Sequence, residues 1–370
     1  MRLAVTGLGM VTSVGYGRTG SCSAIRAGLT RACELPGLLV SSGDGDVTPA
    51  RGHPVSGFAE GFFQAGAWVR LAAGALEDLL HEGTRTPEAP ERWRGTALMA
   101  LTPMLDPERF RWAIHEKPDA LGQYFVRPLQ RLMGSSLPLA HTEALAAGHS
   151  GFAEGLQRAA TLLGSHREVS RVVLVGADSY LDGLTLQWLA RHRRLKSAEA
   201  PTGLLPGQAG ACLMVEAMHP RDTGDGCHIV SVVVKSPPAS EAAHQVKRGR
   251  LLAEAIQEVL AADDAGLPFR GELVLDLNGE EWKAHVWGNA QVLLGQQLDF
   301  DACSVLAPCE SIGEVGATSG VVGTGLAVHG LLSPDSTHEH ALVCGIADSG
   351  KVSAILVRGP KRAARAMSRS

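Results

Sequence analysis

Apolar residues follow two different spacings along this chain, and these spacings predict alternating strands and helices. Runs that are apolar without alternation, such as Val172 to Val175, are typical of strands covered on both faces. Apolar residues three and four positions apart, as in Trp68 to Leu80, predict amphipathic helices. Because strands and helices alternate, the chain is predicted to adopt an α/β fold.

The predicted elements cover most of the chain. Residues 35–66 are rich in glycine, proline and serine and are predicted to be a surface loop. Strands are predicted at 2–6, 96–101, 171–175, 206–216, 228–234, 273–277, 304–306, 341–344 and 353–357, and helices at 21–29, 68–80, 140–163, 247–260 and 313–332.

One stretch, Ala140 to Leu163, is predicted to be a central buried helix. Its first half is crowded with alanine, glycine and serine, and Leu145, Phe152 and Leu156 follow one another at helical spacing. Side chains this small let other backbone come close, so we expect this helix to lie in the middle of the molecule. A predicted strand at Arg171 to Tyr180 follows it.

The chain has 370 residues, which is long enough for two modest domains, and a polar linker after Glu216 marks the expected boundary. We predict an N-terminal half at 1–218 and a C-terminal half at 227–370. A polar and aromatic insertion is predicted at about 103–140, next to the central helix. The C-terminal half ends in a locally basic tail, which is typical of a solvated terminus.

Composition and charge argue against several classes of function. The net charge is −4 and the isoelectric point is near 6.4, so nothing indicates a nucleic-acid or membrane-surface partner. No run of about 18 apolar residues predicts a transmembrane helix, and no secretory signal pattern is present. The seven cysteines are scattered without a CxxC pair, so neither disulfides nor a metal site is expected. A cytoplasmic location follows as the expectation, and no cofactor is expected.

A glycine-rich segment, Gly7 to Gly15 (GLGMVTSVG), follows the first predicted strand and has two interpretations. A dinucleotide-binding fingerprint needs a third glycine and an acidic residue about 20 positions further on. Here Thr12 replaces the third glycine, and the next acidic residue is Glu34. The alternative is the opening signature of β-ketoacyl synthases, to which TGLGMVTSVG and the helix at Ser21 to Leu29 are similar. In that interpretation the glycines are structural.

The central stretch also resembles the nucleophile region of β-ketoacyl-ACP synthases, the condensing enzymes of the thiolase superfamily. There a cysteine stands at the N-terminus of a buried small-residue helix, and the next strand ends in Gly-Ala, as at Gly176-Ala177 here. Pro206 to Glu216 and Leu184 to Leu195 are similar to further segments of that family. The resemblance implies a thiolase-like five-layered αβαβα sandwich of two pseudo-repeated halves. It also implies a homodimer whose sheets pair edge to edge.

The resemblance locates the three catalytic positions of the family, and none carries its reactive residue. The cysteine position corresponds to Leu145, or to a neighbouring alanine. The first histidine corresponds to Asn278, whose amide can donate a hydrogen bond but cannot transfer a proton near neutral pH. The second histidine, in the segment CESIGEVGATSG, corresponds to Glu314, whose carboxylate would repel an enolate. In the last loop, GIADSG, Asp348 stands near the position of a gating phenylalanine.

Four other side chains are candidates for replacement chemistry. The segment GHSGF places Ser150 in a pattern similar to a nucleophile elbow, but Phe152 replaces the final glycine, and a small serine packed in a helix is favoured. Cys309 is either a reactive thiol or an inert buried residue, and the second is favoured. His141 and His149 flank the expected nucleophile position, and a structural, hydrogen-bonded role is favoured for them over a role as ligand or base.

These residues favour a catalytically inactive β-ketoacyl synthase-like protein that works by binding. By resemblance, short thiolase-like chains without the triad are associated with bacterial type VI secretion loci, which implies an adaptor or chaperone role for an effector. The alternative is an acyl-thioester enzyme, a 3-oxoacyl-ACP synthase, acyltransferase or hydrolase acting on acyl carrier protein or CoA thioesters. The expected partners are a second copy and another protein, which is an effector, an acyl carrier protein or an active synthase subunit.

Overall fold

The computed structural model of the chain describes residues 2–43, 45–81, 93–110, 119–134, 139–218 and 225–361. The strands are β1 (Leu3–Thr12), β2 (Gly15–Tyr16), β3 (Cys33–Ser41), β4 (Val47–Gly52), β5 (Thr96–Thr102), β6 (His141–Ala146), β7 (Arg171–Ser179), β8 (Gln208–Ala217), β9 (His228–Lys235), β10 (Glu272–Leu275), β11 (Ser304–Leu306), β12 (His340–Ile346) and β13 (Val352–Arg358). The helices are α1 (Arg18–Arg26), α2 (Ala65–His81), α3 (Arg127–Leu132), α4 (Gly151–Ser165), α5 (Gly183–Arg191), α6 (Gln245–Ala261), α7 (Glu281–Leu293), α8 (Cys309–Ile312) and α9 (Ser319–Leu332).

Two half-sheets with the same strand order form the centre of the molecule. The first runs β6-β5-β7-β8-β1, and the second runs β11-β10-β12-β13-β9. In each half-sheet the first three strands are parallel, and each of the last two is antiparallel to its neighbour. Leu3 pairs with Ile229 and Ala4 with His228, so that β1 and β9 join the half-sheets. The order of strands therefore repeats between the two halves.

Helices cover both faces of each half-sheet and produce five layers. α2 and α3 pack together on the outer face of the first half-sheet, around the buried rings of Trp68, Phe110 and Phe125. α4 and α9 lie in the middle layer between the half-sheets, and α6 and α7 cover the outer face of the second. The α/β prediction and the five-layered sandwich implied by the resemblance are confirmed.

The glycine-rich segment near the N-terminus is strand rather than turn. β1 continues through Gly7 and Gly9 to Thr12 and packs against α2. A Cβ atom on Gly9 would lie 2.0 Å from the carbonyl oxygen of Ala75 in α2, so only glycine allows this helix and strand to approach so closely. The glycines are structural, and the strand extends well beyond the residues 2–6 predicted for it.

Two further element predictions are wrong in part. The predicted helix at 140–163 begins only at Gly151, because residues 141–146 form strand β6, which is parallel to β5. A 3-10 turn at Gly148–Ser150 links that strand to α4. Residues 35–66 are not all loop, because β3 and β4 form an antiparallel hairpin.

Several predictions lie outside the described residues in whole or in part. These are the linker at 219–224, the basic tail at 362–370, and residues 111–118 and 135–138 of the predicted insertion. A π-helical turn at Gly122–Val126 and α3 form the described end of that insertion. Among the described residues, no helix is both long and apolar enough to cross a membrane.

Candidate functional site

Two equivalent turns, one from each half, meet in the cleft between the half-sheets. The turn Gly148–Ser150 leads into α4, and the turn Gly316–Thr318 leads into α9. Each turn begins at a glycine in the left-handed region, with φ of 55° at Gly148 and 50° at Gly316. The two turns are in contact, and the segments that follow β10 and β12 complete the cleft.

Glu314 is the centre of a buried polar network at this point. Its side chain has no solvent exposure. Oε1 accepts hydrogen bonds from His149 Nε2 at 3.0 Å and from the backbone N–H of Gly316 at 2.7 Å. Oε2 accepts from Asn278 Nδ2 at 2.6 Å and from Lys283 Nζ at 3.5 Å. Both oxygens are therefore occupied by donors from four segments of the chain.

Lys283 brings a second buried positive charge to Glu314. Its ammonium, fully buried on α7, lies 3.1 Å from Asp276 Oδ2 at the end of β10. The same Asp276 oxygen accepts a hydrogen bond from the backbone N–H of Ile346 at 3.2 Å. With His149 protonated, the network has two cationic and two anionic side chains, and this balance is what makes four buried ionisable groups tolerable.

The pKa values of the network follow from its charges. Burial and Lys283 both lower the pKa of His149, but the carboxylates of Glu314 and Asp276 outweigh them and raise it to about 9. Burial alone would raise the pKa of Glu314, but Lys283 and His149 hold it well below its ordinary value. Burial keeps the pKa of Asp276 above its ordinary value despite the opposing effect of Lys283. At neutral pH the imidazolium of His149 thus faces the carboxylate of Glu314.

A chain of hydrogen bonds continues from this network to the mouth of the cleft. Asn278 Nδ2 also donates to Glu280 Oε2 at 2.9 Å. Arg194 donates to both oxygens of Glu280 at 2.7 Å each, and to Asp348 at 3.0 and 3.2 Å. Arg194 follows α5 in the first half and Asp348 follows β12 in the second, so this arginine connects the halves across the mouth.

A second arginine, the buried Arg109, fixes the segment after β5 over the cleft. It donates to Asp178 Oδ1 at 2.8 Å and to the carbonyl oxygen of Ser179 at 3.0 Å. Its guanidinium carbon lies 4.0 Å from the centre of the Tyr180 ring. The other oxygen of Asp178 accepts the backbone N–H of Ala317 at 3.0 Å. This part of the predicted insertion is therefore tied to the turn that precedes α9.

The space left in the cleft is small. An inner cavity of about 20 Å³, lined by His149, Asp276 and Cys309 among apolar side chains, has room for about one water molecule. Asp276 Oδ1 and Ser319 Oγ have no hydrogen-bond partner among the described residues, and both residues line this cavity. At the mouth, a recess of about 70 Å³ lies between Met104, Trp188, Arg109 and Arg194.

The structure brings three of the four positions named from the family resemblance into one connected network. Asn278 and Glu314 bond each other, and Asp348 joins them through Arg194 and Glu280. Leu145 is not part of the network. It lies in β6, paired in register with Leu101, so its expected place at the N-terminus of a helix is wrong. The turn itself carries Gly148, His149 and Ser150.

Of the four candidates for replacement chemistry, only His149 belongs to the buried network around Glu314. His149 is in the network, whereas the side chain of His141 is 43% exposed on β6. Ser150 Oγ lies 2.7 Å from Glu154 Oε1 and 3.0 Å from the carbonyl oxygen of Ala147. Cys309 is buried, and burial, aided by the carboxylates of Glu314 and Asp276, raises the pKa of its thiol well above the ordinary value. A protonated thiol is a poor nucleophile.

The residues that sequence reasoning missed are Asp276, Glu280, Lys283 and Arg194. Only Lys283 could have been found from the sequence, because it shares an apolar helical face with Val286, Trp287 and Ala290. A lysine at such a position requires a buried partner, and the partners come from distant segments. The other three are charged residues at element ends, where charges are ordinary.

The chemistry of the network argues against a resident metal ion. Ligand atoms of His149, Asp276 and Glu314 lie within 4.8 Å of one another, close enough to share a cation. However, the Lys283 ammonium already lies against both carboxylates, and Glu314 also accepts the Asn278 amide and the Gly316 N–H. The residues therefore do not fit a divalent cation while Lys283 is charged.

Comparison with known proteins identifies the fold. No family profile and no curated protein sequence matches the chain. A solved structure named the ishigamide ketosynthase/chain length factor is 17% identical, with a TM-score of 0.72 over 98% of this chain and 100% of that one. The ketosynthase from module 6 of the bacillaene synthase from Bacillus subtilis 168 is 9% identical, with a TM-score of 0.74 over 98% of this chain and 73% of that one. A solved complex of a type II polyketide synthase acyl-carrier protein with its ketosynthase is 13% identical, with a TM-score of 0.70 over 97% of this chain and 99% of that one. At these identities the likeness shows a shared ketosynthase-type, thiolase-like fold.

Proposed function

We propose that this chain is a ketosynthase-fold protein without condensing activity and that it works by binding other proteins. One observation carries the proposal. Both carboxylate oxygens of Glu314 already accept hydrogen bonds, from His149, Asn278, Lys283 and the Gly316 N–H. Polar groups that already bond one another in the ground state are not free to stabilise a developing oxyanion or to accept a proton.

The amide of Asn278 illustrates this point. Its two N–H groups donate to Glu280 and Glu314, and its oxygen accepts the backbone N–H of Glu280 at 3.1 Å. An amide has two donors, so none remains for an oxyanion. The possible oxyanion role of Asn278 therefore has no support in this geometry, and the repulsion expected from Glu314 is reduced because its charge is already paired.

The side chains and the space in the described part of the cleft support the same proposal. The turn before α4 carries one hydroxyl, on Ser150, which already bonds the Ala147 carbonyl oxygen and the Glu154 carboxylate. Cys309, across the cleft, is held as a buried thiol. The inner cavity accommodates about one water molecule, which is too little for an acyl chain.

The partner surface that we propose for self-association is the free edge of β6. Among the described strands, β6 pairs only with β5, so the backbone groups of its other edge can pair with another strand. We propose a homodimer through this edge, and an adaptor or chaperone role toward a further protein. The resemblance to short thiolase-like chains makes a type VI secretion effector the proposed client.

Intact mass spectrometry tests the loss of activity. The protein is incubated with acyl-CoA or with acyl-loaded acyl carrier protein, and its mass is measured before and after. We expect no adduct and no release of free thiol. A stoichiometric acyl adduct, or turnover of the thioester, would establish the alternative of an acyl-thioester enzyme and refute the proposal.

Light scattering after gel filtration tests the dimer. We expect twice the 38.8-kDa mass of the chain, and a monomer for Ala144→Pro, because proline in β6 interrupts a strand edge. Val305→Pro, in the edge strand β11 at the other end of the sheet, is the matched control and should remain dimeric. A monomeric wild type would contradict the proposed interface.

A further inference from the structure

A serine and a histidine outside the cleft meet at the opposite end of the second half-sheet. Ser304 begins the edge strand β11, and its Oγ lies 3.0 Å from Nε2 of His338, in the segment between α9 and β12. Both residues lie at the amino ends of the parallel strands, whereas Asp276 follows the carboxyl end of β10. The pair is therefore separate from the network around Glu314.

The hydrogen bonds of His338 determine which ring nitrogen carries the proton. Its Nδ1 lies 3.1 Å from the carbonyl oxygen of Arg270, which can only accept a hydrogen bond. In the neutral ring Nδ1 is therefore the protonated nitrogen, and Nε2 is left with a lone pair facing Ser304 Oγ. A hydroxyl that donates to an unprotonated imidazole nitrogen has the arrangement of a serine nucleophile with its general base.

The backbone on both sides of the pair holds this geometry. Ser336 Oγ donates to the carbonyl oxygen of His338 at 3.1 Å, and the carbonyl oxygen of Glu339 accepts a backbone N–H from the residue that follows β13 at 2.8 Å. Ser304 is in register with Glu272 of β10, so the sheet sets its position. The nucleophile, the base and the carbonyl group that orients the base thus come from three connected segments of the chain.

The pair opens onto a recess that is large enough for a small ligand. The recess has a volume of about 350 Å³, and Ser304 and His338 line it together with Arg26, Glu272 and Asp335. Ser304 is exposed and His338 is half-buried, so a substrate in the recess can reach the hydroxyl. The inner cavity of the cleft, at about 20 Å³, offers no such room.

The charges around the recess favour an uncharged substrate. Arg26 donates to both carboxylate oxygens of Glu272, at 2.8 and 2.7 Å, so these two charges cancel. Burial, together with Arg26, lowers the pKa of His329, so this ring is neutral near pH 7. Asp335 is exposed and adds one negative charge to the lining. A carboxylate at this place repels anions such as the phosphates of CoA.

We propose that Ser304 and His338 form a catalytic pair that hydrolyses small, uncharged carboxylic esters. This activity goes beyond the proposed binding function and uses a different part of the fold. Ser304 Oγ attacks the ester carbonyl carbon while its proton passes to His338 Nε2, and that proton moves to the alcohol oxygen as the ester bond breaks. Water then attacks the acyl-serine and gives a proton to Nε2, which returns it to Oγ as the acid leaves.

The rate that we expect is modest. Arg26, the arginine that lines the recess, is held by Glu272 and by the carbonyl oxygen of Leu326. We therefore assign no oxyanion donor and attribute the rate to general-base activation, which contributes about 10²- to 10⁴-fold. The loss of rate in matched variants is the informative measurement.

Labelling with a fluorophosphonate tests the nucleophile. Phosphorus bonds to the activated serine oxygen as fluoride leaves, and peptide mass spectrometry locates the label. We expect labelling of Ser304 in the full-length protein, and labelling at least about tenfold slower in His338→Gln. His166→Gln, at an exposed histidine after α4, is the matched control and should be labelled like the wild type. An unlabelled Ser304, or equal labelling of Ser304 in His338→Gln, overturns the inference.

Hydrolysis of p-nitrophenyl acetate tests the substrate class. Ser304→Ala and His338→Gln should each lower the rate at least about tenfold, whereas Ser165→Ala, at an exposed serine of α4, should leave it unchanged. Acetyl-CoA carries the same acyl group on an anionic carrier, and we expect no turnover of it that depends on Ser304. Equal ester hydrolysis by Ser304→Ala, or Ser304-dependent turnover of acetyl-CoA, overturns the assignment. Thermal melting of each variant verifies that the fold is intact.

Discussion

His149 Nε2 lies 3.0 Å from Glu314 Oε1. His149 belongs to the turn that leads into α4, and Glu314 lies two residues before the equivalent turn of the other half. One precedes α4 and the other precedes α9, the two helices of the middle layer. This hydrogen bond therefore connects the two halves inside the cleft.

Lys283→Met is expected to destabilise the protein strongly. The change leaves Asp276 and Glu314 buried without the ammonium that lies 3.1 and 3.5 Å from them. Removing one partner of a buried ion pair costs about 3–5 kcal/mol, and urea unfolding measures the difference. Lys247→Met, at an exposed lysine on α6, is the control and should change the free energy of unfolding by less than about 0.5 kcal/mol. A similarly small change for Lys283→Met would show that the network does not need its charge.

The stability of the wild type is expected to fall as the pH rises above neutrality. The pKa of His149 is raised from 6.5 to about 9 in the folded protein, so its contribution is complete below pH 6.5 and is lost as the pH rises through 9. Each unit of that interval corresponds to about 1.4 kcal/mol as an upper bound for the one group. Urea unfolding between pH 6.5 and 9.5 measures the slope. His149→Gln should flatten it, and an identical slope in that variant would exclude His149 as its source.

Gly9→Ala is expected to disrupt the packing of β1 against α2. The added Cβ would lie 2.0 Å from the Ala75 carbonyl oxygen and 2.8 Å from the Leu79 nitrogen, and both atoms are backbone. A loss of more than about 3 kcal/mol, or failure to fold, is the expected outcome. Gly288→Ala, in α7 with nothing within 4 Å of the new atom, is the control and should stabilise by about 0.5–1 kcal/mol. Thermal melting distinguishes the two substitutions, and equal melting temperatures would contradict the close approach.

Cys309 is expected to resist alkylation in the folded protein. Its thiol is buried and protonated, whereas Cys33 is exposed on β3. With iodoacetamide near neutral pH, peptide mapping should show modification of Cys33 first and of Cys309 only after denaturation. Rapid labelling of Cys309 in the native protein would reveal a reactive thiol in the cleft and would weaken the proposal that the protein is inactive.

The sequence patterns predict most of the core elements because buried strands and helices carry strong apolar signals. β5 and β12 lie where the patterns place them, since both are buried runs of apolar residues. β6 was predicted as helix because its Ala-rich residues also fit helical spacing, and as an edge strand it is only half buried. The β3–β4 hairpin escaped prediction because its register is irregular between Glu34 and Leu39 and interrupts any alternation.

The site was only partly predictable for a different reason. Asn278, Glu314 and Asp348 could be located because the resemblance fixes where three chain segments meet. Lys283 could not, because its partners Asp276 and Glu314 are separated from it in sequence and only the packing of α7 against β10 brings them together. Local patterns carry no information about such long-range charge pairing.

The left-handed glycines at the starts of the two turns have a consequence for how such a protein can evolve. Gly148 and Gly316 fix the backbone path of both turns, and at the second turn the carboxylates of Glu314 and Asp178 also hold the N–H groups of Gly316 and Ala317. Substitution at the first turn has to keep one glycine, whereas substitution at the second has to keep a glycine and two acceptors. The first turn is therefore the one whose sequence can drift more freely while the fold is retained.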